Sequence, residues 1–220
     1  MKKVFAIVLI VCLAMTAVFA DKGDFKIGVQ AGFGTDSITL TLNENYKTVT
    51  NNGGFYFAGT GEYSFSDAFA GKFEFGLNTM GKAKSTGTIV GVSKTAEASE
   101  NSPLQLSAYF GLQYNIEVSK DLDIGIGAGW DMMIGKESNA DDAKTNAAMG
   151  LGVEFVAAFK MNKNVALTVG SKAGFFFVNT DDQIKEDLEN VNSILSLFTS
   201  DDVKVGHNAF KFFAGLTFAL

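Results

Sequence analysis

Few residues of this 220-residue sequence have the types and spacing that catalysis or metal binding requires. His207 is the only histidine, which excludes a multi-histidine metal site and leaves one candidate for a Ser–His catalytic arrangement. The acidic pairs at 141–142, 181–182 and 201–202 lack the spacing of an EF-hand loop. No motif pairs His207 with a nucleophile, so we predict no catalytic residue, no metal site and no cofactor. The serines that share its predicted loop are Ser193, Ser196 and Ser200.

Charged residues form a more informative pattern, because they recur at every second position of several segments. In 69–77, Lys72 and Glu74 alternate with Phe73 and Phe75. A period of two is that of a β-strand, whose successive side chains point to opposite faces. We therefore predict that five lysines and six acids share the polar face of one sheet. They are Lys26, Glu62, Lys72, Glu74, Glu117, Asp123, Asp131, Glu154, Lys160, Lys172 and Lys211.

The same alternation defines the elements that must position these charges. The composition suits strands, with 24 glycines, 21 phenylalanines and one proline. No stretch after the N-terminal one reaches the 18 apolar residues of a transmembrane helix. The eight predicted strands cover 25–33, 54–65, 69–77, 104–118, 122–132, 149–160, 165–178 and 210–220.

The connections between these strands alternate in length. Three short turns (SDA, SKD and MNKN) join strands 2–3, 4–5 and 6–7. Short turns at one end, long loops at the other and an even strand number are typical of a transmembrane barrel. We predict an all-β, eight-stranded antiparallel up-and-down transmembrane β-barrel in a single domain, 21–220. The four predicted external loops are about 34–53, 78–103, 134–147 and 179–208.

The polar face is expected to line the barrel interior. An eight-stranded barrel is just wide enough for its side chains, and the phenylalanine-rich apolar face would overfill it. The near balance of inward charges predicts ion pairs, because an unpaired buried charge is costly. Two hypotheses remain open for them: a static polar core, or a gate that exchanges partners to open a narrow ion path.

The inward positions also include large and small apolar residues. Gly125, Gly127 and Gly129 leave one inward column without side chains, and bulky inward residues such as Tyr56 and Tyr109 are expected to lean across it. A semi-apolar patch on strands 6–8 suggests either packing or a route for a small hydrophobic ligand. Its members are Val156, Ala158, Ala166, Phe176 and Phe213.

Residues 1–20 have the layout of a secretory signal peptide. Lys2 and Lys3 precede an apolar run, and small or apolar residues at Val18 and Ala20 favour cleavage after Ala20. A retained membrane anchor is the alternative. Two of the 18 lysines leave with this segment while all 24 acids stay, so the net charge falls from −6 to −8. This acidic balance argues against nucleic acid as a partner.

The strand layout and the C-terminus resemble the small eight-stranded outer-membrane proteins, a group that includes the OmpA transmembrane domain, OmpX/Ail and OmpW. The C-terminal assembly signal of these proteins contains a polar residue, a glycine and two aromatic residues. The corresponding positions here are Phe213, Gly215, Phe218 and Leu220. Phe213 departs from the polar position and Leu220 from the final aromatic one. The resemblance implies the outer membrane of a diderm bacterium, with outer-membrane lipid and the assembly machinery as partners. It also implies a monomer.

The longest predicted loop contains a helical pattern. Its apolar residues recur at helical spacing, and Thr180 with Gln183 matches a capping box. We predict a short amphipathic helix that serves as a lid, a binding patch or a stripe packed on the rim. The apolar residues are Ile184, Leu188, Val191, Leu195 and Phe198.

These features predict a non-enzymatic outer-membrane protein. The primary hypothesis is a surface-interaction, adhesion or membrane-integrity role carried by the external loops, with a surface protein or small molecule as partner. The alternative, which the likeness to OmpW suggests, is a narrow channel for ions or small hydrophobic molecules. The third hypothesis is a lipid-modifying enzyme, which would need His207.

Overall fold

The computed structural model of the protein describes most of the residues from 25 to 220. The predicted signal peptide and the predicted loop helix lie outside the described residues, so neither prediction is tested. No helix within the described segments has the length and apolar character needed to cross a membrane. The described residues are 25–43, 46–89, 91–101, 104–136, 145–179 and 204–220.

These segments form ten β-strands in one antiparallel sheet. Alternation of apolar and polar side chains along each segment favours the extended backbone. The strands are β1 Phe25–Asn43, β2 Tyr46–Ser64, β3 Phe69–Met80, β4 Lys82–Ile89, β5 Val92–Asn101, β6 Gln105–Ser119, β7 Leu122–Lys136, β8 Thr145–Lys160, β9 Val165–Asn179 and β10 Lys204–Ala219.

Eight of the strands close into a barrel, which confirms the predicted fold class. The order β1-β10-β9-β8-β7-β6-β3-β2 returns to β1 through the β1–β2 pairing. The closing seam pairs β1 with β10 from Lys26↔Ala219 to Thr41↔Lys204. At its end, the Leu220 amide donates to the Phe25 carbonyl at 3.0 Å. Closure satisfies the backbone of every barrel strand, as a membrane span requires.

Two segments that were predicted as loops are paired strands, which corrects the sequence analysis. Within 34–53, β1 and β2 continue as a hairpin to Asn43 and from Tyr46. Within 78–103, β4 pairs with β2 and β5 pairs with β4. In the extension of β1, Thr35, Ser37 and Thr39 take the exterior positions that phenylalanine and valine occupy nearer the short turns, and no aromatic side chain marks the segment as a strand.

The strands that flank the other two predicted loops, 134–147 and 179–208, also extend further than the sequence predicted. β7 continues to Lys136 and β8 begins at Thr145, while β9 ends at Asn179 and β10 begins at Lys204. The residues between these strand ends, 137–144 and 180–203, lie outside the described part of the chain. The three short turns are found at 65–68, 120–121 and 161–164, as predicted.

The barrel exterior is apolar along its whole circumference. Large apolar side chains are exposed on it, including Val29 (61%), Phe55 (63%) and Phe212 (61%). Aromatic rings of different strands also contact each other, as Trp130 and Phe177 do with centroids 6.0 Å apart. An exposed apolar surface of this extent marks a membrane-facing region. On the face of β1 that carries Phe33, the next residues are Thr35, Ser37 and Thr39, whose side chains end in hydroxyl groups. This change marks the end of the apolar band.

The predicted leaning of a bulky residue over the glycine column is found at Tyr109. Its side chain is fully buried, and a Cβ atom at Gly127 would lie 3.3 Å from the Tyr109 hydroxyl. On the other side of the ring, a Cβ at Gly152 would lie 3.0 Å from Tyr109 Cε2. Glycine at these places makes room for one tyrosine to fill the centre of the barrel.

Candidate functional site

The lumen is the candidate site, and strand register decides which charges meet inside it. Inward positions of adjacent strands lie directly opposite each other, so Glu154 of β8 faces Lys172 of β9, and Lys172 faces Lys211 of β10. Two lysines in direct opposition repel each other. Glu154 is only one counter-charge for two lysines, so their position requires a second acid from elsewhere in the barrel.

Glu74 of β3 supplies that acid from across the lumen. Its carboxylate is fully buried and forms an ion pair with Lys172. The Gln30 amide donates to Glu74 Oε2 at 2.6 Å and lies 2.7 Å from the Tyr56 hydroxyl. Lys211 interacts electrostatically with Glu74 as well. Glu74 is thus the centre of a network that joins five strands, β1, β2, β3, β9 and β10.

A second network of charges lies beside the first. Lys72 of β3 forms an ion pair with Glu154 of β8. Asp131 of β7, which is 1% exposed, interacts electrostatically with both Lys172 and Lys211. Three lysines and three acids therefore meet in the middle of the barrel, and their formal charges balance.

Each of the three central lysines also lies over an aromatic ring. Lys211 Nζ is 4.5 Å from the centroid of Tyr56, and Lys172 Nζ is 4.8 Å from that of Tyr109. Lys72 Nζ is 5.9 Å from the Phe213 ring. Cation–π attraction strengthens as the cation is desolvated, and Lys172 and Lys211 are almost fully buried. We call the central set the plug: Tyr56, Lys72, Glu74, Tyr109, Asp131, Glu154, Lys172 and Lys211.

The remaining predicted charges lie near the end of the barrel that carries the short turns. Lys26 pairs with Glu62 at 2.8 Å and Lys160 pairs with Asp123 at 2.9 Å. Glu117 is exposed at the same rim, where it interacts electrostatically with Lys160. The structure therefore places the eleven charges in two layers, one central and one at this rim.

Four of the five residues of the predicted semi-apolar patch line one cavity, and the fifth, Phe176, lies apart from them. Val156 and Phe213 pack together with Tyr56 and Ala58 beside the plug. Phe176 belongs to a separate cluster with Met133, Ala148 and Ala209, which lies beyond the plug on the side away from the short turns. The division follows from position along the strands, because Phe176 and Val156 belong to different layers of the barrel.

Ala158 and Ala166, the other two members, line a cavity in the half of the lumen near the short turns. The cavity has a volume of about 900 Å³ and opens between the turns 65–68 and 161–164. It extends inward to Gln30, Lys72 and Phe213, where the plug begins. The lumen therefore combines a blind cavity on one side with a closed centre.

His207 is placed differently from the sequence expectation. It lies in β10, where it is 6% exposed, and not in a loop. Its Nε2 is 2.7 Å from Asp36 Oδ1 of β1, and its ring contacts Phe176 with centroids 4.7 Å apart. Both Asp36 and His207 continue the inward alternation of their strands, which is the signal that sequence reasoning missed. The candidate nucleophiles of 193–200 lie outside the described residues.

The described residues contain no cluster of histidine, cysteine or acidic side chains that could hold a metal ion.

A family model described as a domain of unknown function, DUF2715, matches residues 4–220, which is nearly the whole sequence. The chain belongs to the DUF2715 family. No curated protein matches it.

Solved structures resemble this DUF2715 barrel in fold. The neisserial surface protein A (NspA) matches with a TM-score of 0.55 and 10% identity, over 89% of this chain and 97% of that one. The outer membrane protein OprG from Pseudomonas aeruginosa matches with a TM-score of 0.50 and 13% identity, over 90% and 96% of the two chains. The fold and the apolar exterior of the chain identify it as an outer-membrane β-barrel protein.

Proposed function

We propose that this DUF2715 protein acts at the cell surface through the sheet that extends beyond its barrel. In this proposal the barrel is a closed membrane anchor without enzymatic activity. The observation that carries it is the plug, whose residues Tyr56, Tyr109, Glu74, Lys172 and Asp131 are at most 1% exposed. A lumen filled in this way favours a role outside the membrane over transport through it.

The extension offers a surface suited to binding. It consists of the outer parts of β1 and β2 together with β4 and β5. Neighbouring hydroxyl groups contact each other on it: Thr86 and Thr95 at 2.9 Å, and Thr88 and Ser93 at 2.8 Å. In the described part of the chain β5 pairs only with β4, so its other edge presents unpaired backbone groups. Such an edge can accept a strand from a partner protein.

A hairpin deletion tests the surface role. Residues 82–101 are replaced by a short Gly-Ser linker, which leaves the β2–β3 register from Gly54↔Met80 to Ser64↔Ala70 intact. We expect heat-modifiable migration on gels to persist, whereas adherence of producing cells to immobilised matrix proteins or to neighbouring cells falls to background. A control replaces 120–121 at the opposite end by two glycines and should adhere normally. Unchanged adherence of the deletion variant would overturn the proposal.

The second candidate function is a narrow channel, which the blind cavity favours because it already spans the half of the lumen near the short turns. Exchange of partners between the ion pairs Lys72–Glu154 and Lys172–Glu74 would be the opening step. We expect no steady conductance from the wild-type protein in planar bilayers. The double variant Glu74→Ala and Lys172→Ala, which empties the plug, is expected to conduct. Steady wild-type conductance would favour the channel over the anchor.

The third candidate, a lipid-modifying enzyme, depends on the Asp36–His207 pair. Both side chains are more than 90% buried and lie inside the barrel, where lipid does not reach. We therefore expect no modification of lipid A by the purified protein. An activity that is lost in His207→Ala would overturn the non-enzymatic assignment.

A further inference from the structure

The cavity near the short turns has the dimensions of a small-molecule site. Its volume of about 900 Å³ lies within the ~300–1,000 Å³ that ligand pockets occupy. It is lined at its outer end by residues of the turns 65–68 and 161–164, and it reaches the plug at Lys72. A ligand would therefore enter and leave by the same side.

One wall of the cavity is apolar and comes from β8, β9 and β10. It is formed by Val156, Ala158, Ala166 and Phe213. The Phe213 ring lies against Gly170, where a Cβ atom would come within 2.6 Å of Phe213 Cζ. Because Gly170 has no side chain, the Phe213 ring can pack against the backbone of β9.

The opposite wall is polar, and its charges inside the rim are paired, while Asp67, Glu117 and Lys163 line the rim itself. Lys26 is paired with Glu62, and Asn115 lies between this pair and Gln113. At the mouth, Lys160 is paired with Asp123. A charged ligand would have to compete with these pairs for a counter-ion, which favours a neutral one.

One buried atom of this wall lacks a partner. Gln113 is 5% exposed, and its Nε2 donates to Asn115 Oδ1 at 2.6 Å and to Glu62 Oε2 at 3.4 Å. These two acceptors fix the orientation of the amide, and Gln113 Oε1 has no hydrogen-bond partner in the described structure. The oxygen itself is fully buried, so a ligand donor reaches it only when the Gln113 amide turns toward the cavity, and such a donor would then stabilise it.

We propose that the barrel binds a neutral amphiphile from its short-turn side. A hydroxyl or amide N–H of the ligand donates to Gln113 Oε1, and its hydrocarbon chain lies along Val156, Ala158, Ala166 and Phe213. The proposal does not rest on the surface role, because the site is at the opposite end of the barrel from the β4–β5 hairpin. It also differs from a channel, since the plug makes the site blind.

The probe for the test is 1-octanol, titrated into the barrel in lipid nanodiscs with labelled alanine methyl groups. We expect saturable intermolecular NOEs from octanol to the Ala158 and Ala166 methyls. Ala158→Phe fills the cavity and should abolish them. The matched control Ala157→Phe places the same ring on the lipid side of β8 and should retain them.

Two further comparisons test the polar contact. Gln113→Leu should weaken octanol binding about tenfold, the equivalent of one good hydrogen bond. Octane and octanoate, which lack a neutral donor, should bind more weakly than octanol. Heat-modifiable migration verifies folding, and Ala166→Leu replaces Ala158→Phe if the latter does not fold. The Ala166 methyl is present in both variants and is the one compared. Non-saturable octanol NOEs to this methyl that are equal in Ala157→Phe and Ala158→Phe would overturn the proposed site. Equal binding of octane and octanol would overturn the hydrogen bond.

Discussion

Lys172 and Lys211 lie directly opposite each other on β9 and β10, and the carboxylate that compensates them, Glu74, comes from β3 on the far side of the lumen. The three side chains are almost fully buried. Asp131 and Glu154 add to this compensation, but Glu74 is the acid that forms the ion pair with Lys172 and comes from the far side of the lumen. The stability of the barrel should depend on this acid more than on any surface charge.

The first prediction concerns the loss of the Glu74 charge. Glu74→Gln leaves Lys172 and Lys211 opposed and buried without a full counter-charge, so we expect a loss of about 3–5 kcal/mol in the free energy of unfolding. Urea unfolding in lipid vesicles, followed by Trp130 fluorescence, measures it. The control is Glu97→Gln, which removes an exposed pair with Lys84 and should cost about 0–1 kcal/mol. Equal effects of the two substitutions would contradict a central role for Glu74.

The second prediction concerns the closing seam between β1 and β10. A Cβ atom at Gly32 would clash with the carbonyl of Phe212 and the Cα of Phe213. Gly32→Ala should therefore destabilise the barrel by about 1–3 kcal/mol or more and lower the folded fraction after refolding. Gly59→Ala is the matched control, because nothing lies within 4 Å of its Cβ position. The heat-modifiable gel shift measures the folded fraction, and equal folding of the two variants would show that the seam tolerates a side chain.

The third prediction concerns the pair Asp36 and His207. His207→Leu removes a hydrogen-bonding partner of the buried Asp36 carboxylate, and we expect a loss of about 1–3 kcal/mol in unfolding free energy. Asp36→Leu combined with His207→Leu should recover part of that loss, because no buried carboxylate then remains. A double-mutant cycle from urea unfolding gives the coupling energy. Strict additivity of the two substitutions would mean that the contact contributes nothing.

The fourth prediction concerns orientation in the membrane. The sole cysteine, Cys12, lies in the predicted signal peptide, so each engineered cysteine is the only one in the mature chain. Lys94→Cys on the exposed strand β5 should react with a membrane-impermeant maleimide on intact cells. Lys120→Cys in the β6–β7 turn should react only after the outer membrane is permeabilised. The reverse labelling pattern would show that the barrel has the opposite orientation in the membrane, which would contradict both functional proposals.

The sequence by itself determined the strands of the barrel wall and which side chains face inward. Side-chain alternation is local, so a strand such as 69–77 shows its two faces without reference to any other part of the chain. It did not identify the outer parts of β1 and β2, because beyond the membrane the exterior face no longer needs large apolar residues. There the exterior positions of β1 carry Thr35, Ser37 and Thr39 without aromatic residues, so the sequence predicts loops for 34–53 and 78–103.

Only the tertiary structure decided which inward residues meet. Glu74 and Lys172 are 98 residues apart, and Asp36 and His207 are 171 apart. Their heights along the barrel axis depend on the stagger that accumulates from strand to strand as the sheet closes. That stagger separates the plug from the cavity, divides Phe176 from Val156 and Phe213, and buries His207. The period-two pattern shows that a side chain faces the lumen. Which other side chain it meets there depends on the register of the strands in the closed barrel.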